Sequence, residues 1–84
     1  MVMSEATVPV TERALVQRIN RALRRKGQML RQSRGERART DLGDYYVIDL
    51  ERNVLLLSRV NLEELARELG ALQPWERVVD GEEE

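Results

Sequence analysis

The spacing of hydrophobic positions changes along the chain, and each change marks an element. From Thr11 onward, Leu15, Val16, Ile19, Ala22 and Leu23 fall at i, i+1, i+4, i+7 and i+8, which is one face of a helix. At ~100° per residue these positions fill an arc of roughly 120°, and Arg13, Arg18, Arg21, Arg24 and Arg25 lie opposite. Thr11 suits an N-cap, Glu12 suits the first turn, and Gly27 stops the pattern, so a helix is predicted over 11–26. The period then shortens. Tyr45–Leu50 and Val54–Leu57 are β-rich runs on either side of Glu51-Arg52-Asn53, which predicts a hairpin within 45–59. A loop closed by Asn53 in the left-handed conformation would set Leu50 opposite Val54. A tighter turn at Glu51-Arg52 would instead pair Ile48 with Leu55. Both registers leave two largely apolar faces. An antiparallel sheet commonly keeps one face in water, so helices are expected on one side and a second copy of the chain on the other face or at the edge.

Weaker signals fill in the rest. Met29 and Leu30 are the only apolar anchors of a third strand over 28–33, and Arg34–Asp44 reads as loop, with Gly35, Gly43 and no apolar periodicity. Asn61 with Glu64 forms a capping box ahead of Leu62, Leu65, Ala66 and Leu69, so a second helix is predicted over 61–69, ended by Gly70 and Pro74. The expected fold is α+β: a small antiparallel sheet with two helices packed on one face, as a single domain over 11–79. Residues 1–10 read as a loose lead-in and 80–84 as an acidic tail. Leu15, Ile19, Leu23, Ile48, Leu56, Leu65 and Leu69 are the expected core, with Trp75 as a lid over the helix and sheet junction.

Composition narrows the chemistry. Eighty-four residues make one domain, of a size that often relies on self-association. The chain has no Cys and no His, hence no disulfide or thiolate metal site and none of the usual imidazole base, nucleophile activator or metal ligand. Asp41, Asp44 and Asp49 lack the glycine and terminal glutamate of a calcium loop. Neither a phosphate-cradling glycine loop nor a serine nucleophile motif occurs. A non-catalytic protein without cofactor or metal is therefore expected. No apolar run is long enough for a bilayer and no signal-peptide pattern opens the chain, so a cytoplasmic location away from membranes is expected.

Charge changes the picture most. Residues 1–12 carry net −2, residues 13–39 hold ten bases and one acid, and residues 40–84 carry net −8, which conceals a dipolar molecule behind a total of −1. The basic third is almost wholly arginine, the side chain best suited to bidentate phosphate contacts. Arg18, Arg21 and Arg25 lie at i, i+3 and i+7 on the first helix. Extended by Arg34, Arg37 and Arg39, they are the candidate surface for the phosphate backbone of DNA or RNA. Two other readings stand beside this one. The arginines are also what the solvent face of an amphipathic helix ordinarily carries, and a charged surface equally suits a host protein partner, as in a regulator or a defence inhibitor.

The predicted order of a helix, strands and a helix invites comparison with double-stranded-RNA-binding domains. That comparison fails at the second helix, which opens with the acidic Asn61-Leu62-Glu63-Glu64 where that family carries a basic cluster. The segments Arg18-Ile19-Asn20-Arg21, Asp41-Leu42-Gly43-Asp44-Tyr45-Tyr46 and Leu62-Glu63-Glu64-Leu65-Ala66-Arg67-Glu68-Leu69-Gly70-Ala71-Leu72 resemble a set of small uncharacterised proteobacterial proteins. The resemblance covers Leu15 to about Trp75. Such proteins tend to be encoded near mobile elements, which implies DNA transactions or host-defence interactions but brings no site residues.

Overall fold

Thr11 begins the first helix as its spacing predicts. In the computed structural model, which describes residues 7–79, its hydroxyl accepts the Ala14 N–H at 3.1 Å and α1 runs over Glu12–Arg24. The chain turns at Gly27 into β2 (Gln28–Gln32), and the hairpin strands follow as β3 (Tyr45–Asp49) and β4 (Val54–Leu57). These form one antiparallel sheet in the order β2-β3-β4, so the third strand expected over 28–33 is present. Asn61 caps the helix that follows the hairpin, Leu62–Glu68, by accepting the Glu64 N–H at 3.0 Å. Its far end closes through the Ala71 N–H on the Ala66 carbonyl around left-handed Gly70.

The core lies where α1 crosses the sheet. Leu15, Ile19 and Leu23 of α1 are buried against Leu30 and Val47 of the sheet, with Leu62, Leu65, Ala66, Leu72 and Val10 completing the cluster. Paired strand residues share a face, so Leu30 and Val47 mark the face under α1, whereas Met29, Arg31, Tyr46, Ile48 and Leu55 mark the outer face. Asn20 reaches from α1 to accept the Leu30 N–H at 2.8 Å, satisfying a backbone donor on strand β2.

Several expectations are corrected. Gly35–Leu42, read as loop, is a helix, α2, which makes the Leu62–Glu68 helix α3; the described residues hold three helices, so two helices on one face is incomplete. None of the α2 residues is buried, so it has no core-facing stripe for periodicity to reveal. The end of the supposed lead-in, with the helix-capping Thr11, is a strand, β1 (Val8–Thr11), pairing in parallel with β5 (Glu76–Val79). Each is four residues long and their partnership spans nearly the whole chain, so nothing local announces it. The first six residues and the acidic tail, 80–84, lie outside the described residues.

The hairpin register is also revised. Asn53 does take the left-handed conformation, but Asp49, not Leu50, faces Val54, and Ile48 faces Leu55, as in the tighter alternative. The Asp49 carboxylate makes this loop, accepting the Glu51 and Arg52 N–H groups at 2.9 and 3.1 Å. The register then shifts at a bulge, so that Val47 faces Leu57. Leu56 sits at that irregularity on an edge strand, 41% exposed, and is not core; Ile48 and Leu69 are only partly buried. Trp75 is no lid: the residue is 57% exposed, and its backbone carbonyl accepts the Val8 N–H.

Candidate nucleic-acid interface

The six arginines expected to form one surface come from two elements, α1 with its C-cap and α2 with its N-cap. On α1, Arg18 is committed to the fold. Its guanidinium pairs with the Glu76 carboxylate at 2.8 Å and donates to the Ala71 carbonyl at 3.1 Å, tying β5 and the end of α3 to the first helix. Arg21 and Arg25 stay exposed and line, with Arg18, a shallow groove of about 310 Å³ beside Leu69, Gly70 and Ala71. A carbonyl-rich helix end next to these arginines accounts for part of their placement.

The Arg18–Glu76 pair sets a pH dependence. The guanidinium hydrogen bond, followed by the Gln73 N–H, holds the Glu76 carboxyl below its ordinary value of 4.5. A depressed folded-state value means that the charged carboxylate stabilises the fold above the unfolded value, and that this contribution is lost as pH falls through the folded one. The unfolding midpoint of the wild type should therefore drop more steeply than that of Glu76→Gln as pH falls below about 4.5. Thermal denaturation at a series of pH values checks this, and parallel curves would show that the pair carries no such linkage.

Arg34, Arg37 and Arg39 belong to the α2 excursion between β2 and β3. Arg34 is the N-cap residue of α2, Arg37 is exposed, and the Arg39 side chain approaches Asp44 at 3.5 Å. The excursion is closed at its base by Ser33, a buried residue whose N–H donates to the Asp44 carbonyl and whose hydroxyl donates to the Gly43 carbonyl. Further out it is stitched to the segment after β4. There the Arg59 N–H donates to the Leu42 carbonyl at 2.7 Å and the Arg59 guanidinium to the Thr40 carbonyl at 2.8 Å.

This closure leaves a concavity of about 760 Å³ lined by Met29, Leu30, Arg31, Gln32, Arg34, Ala38 and Tyr46. Arg31, Arg34 and Tyr46 are among its lining residues, and no acidic residue lines it. Arg31 and Tyr46 are cross-strand partners on the outer face, so the concavity opens away from α1. It shares no lining residue with the Arg18, Arg21 and Arg25 groove.

Two members were missed in the sequence. Arg31 lies next to Leu30 in β2, and strict alternation would have sent it to the face opposite the core. Of the adjacent tyrosines, strand geometry allows only one on a binding surface. Tyr45 packs against the core, where burial and the nearby charges of Glu12 and Asp44 raise its phenol above the ordinary value, and Tyr46 takes the outer face. Asp44 and Asp49 are occupied with Arg39 and the hairpin loop, and among the described residues no group of three or more potential ligands is placed to hold a metal. Among the described residues, too, no helix is long and apolar enough to cross a membrane. Comparison with known proteins gives no matching family model, no matching curated protein and no matching solved structure.

Proposed function

We propose that this protein is a non-catalytic accessory protein that binds the phosphate backbone of nucleic acid, DNA or RNA, without reading sequence. The observation that carries this reading is the acid-free concavity in which Arg31 and Arg34 flank Tyr46. Arginine forks match phosphate oxygens, and an aromatic ring beside them suits an unpaired base, a pairing typical of single-strand binding. Arg37 on α2, and Arg21 and Arg25 on α1, add cations that extend the electrostatic footprint beyond the concavity. Arg18 has a smaller part here than its helical spacing implies, because Glu76 already neutralises it. The resemblance to proteins encoded near mobile elements fits the same reading.

Fluorescence anisotropy with labelled DNA and RNA of mixed sequence, taken across a salt series, tests it. Affinity should fall steeply with salt, and Arg31→Ala/Arg34→Ala should weaken binding and flatten the log–log salt slope by about two if each side chain meets one phosphate. Lack of binding by the wild type at low salt would remove the proposal. A protein-interaction module, a regulator or host-defence inhibitor, is the second reading. The uncovered apolar strand β4 favours it, since patches of that kind mark contact surfaces.

A further inference from the structure

Strand β4 is an edge that is short and bulged but carries no charge, proline or covering element. Edges are ordinarily blunted by lysine, proline, an inward charge or a covering element. Here Val54, Leu55, Leu56 and Leu57 follow one another without a charge, each 41–49% exposed, and Leu50 beside them is 47% exposed. The opposite edge differs: Asn20 satisfies a β2 donor and α1 packs alongside. Among the described residues no hydrogen bond from another element reaches Val54–Leu57 except those of β3. The bulge twists β4 but leaves its leucines in water.

We propose that β4 pairs antiparallel with β4 of a second copy, joining two three-stranded sheets into one of six strands. Charge argues for a second copy over another occupant. The turn end of β4 carries Glu51 and Arg52 beside Asp49 and is net negative, while its other end carries Arg59 and is net positive. Antiparallel self-pairing sets each end against its opposite, and a total charge of −1 leaves little repulsion between copies. A two-fold axis between antiparallel strands must pass through a residue facing itself. With Leu55 on the axis, Val54 meets Leu56 of the other copy, and the turn end of each strand lies toward the Arg59 end of the other.

The axis stands perpendicular to the sheet, so each face stays on its own side after rotation. Both Arg31, Arg34 and Tyr46 concavities then open on the same side, with the two β2 strands about 24 Å apart at ~4.8 Å per strand step. The dimer would thus hold one nucleic-acid strand at two points. That consequence rests on the function proposed above; the interface itself does not.

Sedimentation equilibrium of the full chain without nucleic acid tests the interface. The expected mass is twice 9.8 kDa at tens of micromolar, falling to the monomer for Leu55→Lys with an unchanged circular dichroism spectrum. Because the chain has no cysteine, Leu55→Cys gives an independent readout. It should cross-link to itself on oxidation, and Val54→Cys and Leu56→Cys should not, since only the residue on the axis meets its own copy within disulfide reach. A wild-type monomer at these concentrations, a ladder of larger species, or a dimer that survives Leu55→Lys without the Leu55→Cys cross-link would overturn the proposal. With the interface established, Leu55→Lys should bind a long single strand at least tenfold more weakly than wild type but a strand too short to span both concavities at least as well. The added cation alone would strengthen binding, so a loss reports the missing second copy. Equal affinities for the long strand would overturn the shared face alone.

Discussion

Replacing Ile19 with Ala is expected to lower the unfolding free energy by about 3–5 kcal/mol, the upper part of the range for removing a buried aliphatic side chain. Ile19 is 0% exposed, as are Leu15 and Val47, and these are the largest fully buried side chains among the described residues. The side chain is enclosed between the sheet and α3, whose Leu65 and Ala66 are buried in the same cluster, so neighbours have little room to close over the void. A domain of this length has a total stability of only about 4–13 kcal/mol, so this one change takes a large share of it. Urea denaturation should show a lower midpoint at an unchanged slope. Leu55→Ala, at a half-exposed edge position, should cost less than about 1 kcal/mol in the monomer. Similar losses for the two variants would mean that the core is not centred on α1.

Gly43→Ala is expected to cost about 2–4 kcal/mol through backbone strain and a steric clash. Gly43 has φ +80° and ψ −171°, a region open in practice only to glycine. A Cβ there would lie 2.6 Å from the Cα of Arg59, which is backbone and cannot swing aside. Arg59 is itself held at φ +51° and bonded to Leu42 and Thr40, so relief at one strand junction disturbs the other. Gly27→Ala is the control. Gly27 also has positive φ, +74°, but a Cβ there meets nothing within 4 Å, and about 1 kcal/mol is expected. The gap between the two variants should appear as about 5–20 °C in the unfolding midpoint. Because Gly43 closes the α2 excursion, Gly43→Ala should, on the function proposed above, also weaken nucleic-acid binding at temperatures where the protein remains folded. Equal midpoints for the two glycine variants would deny the close approach to Arg59.

Some of the site was readable from residue types alone. Tyr45 and Tyr46 had to face opposite ways once they were placed in a strand, and Arg31 had to oppose Leu30. What hid the concavity was α2. A helix with no buried residue offers no periodicity, and its glycines mimic loop punctuation. Arg18 misleads for a related reason. Its spacing is that of a solvent-facing stripe, but its partner Glu76 lies 58 residues away on a strand whose existence depends on pairing with β1.

By itself the sequence determined α1 and α3, through a helical apolar stripe and Thr11 and Asn61 side chains that cap the first turn, and it determined the hairpin, through two β-rich runs around a loop in which Asn53 can turn left-handed. These are interactions within a few residues, so their physics is local. Tertiary structure alone decided the Asp49–Val54 register with its bulge, the β1 and β5 pairing, the side of the sheet on which α2 closes, and the capture of Arg18 by Glu76. Each of these joins groups whose free energies are close in several arrangements until burial of Leu15, Ile19 and Val47 selects one.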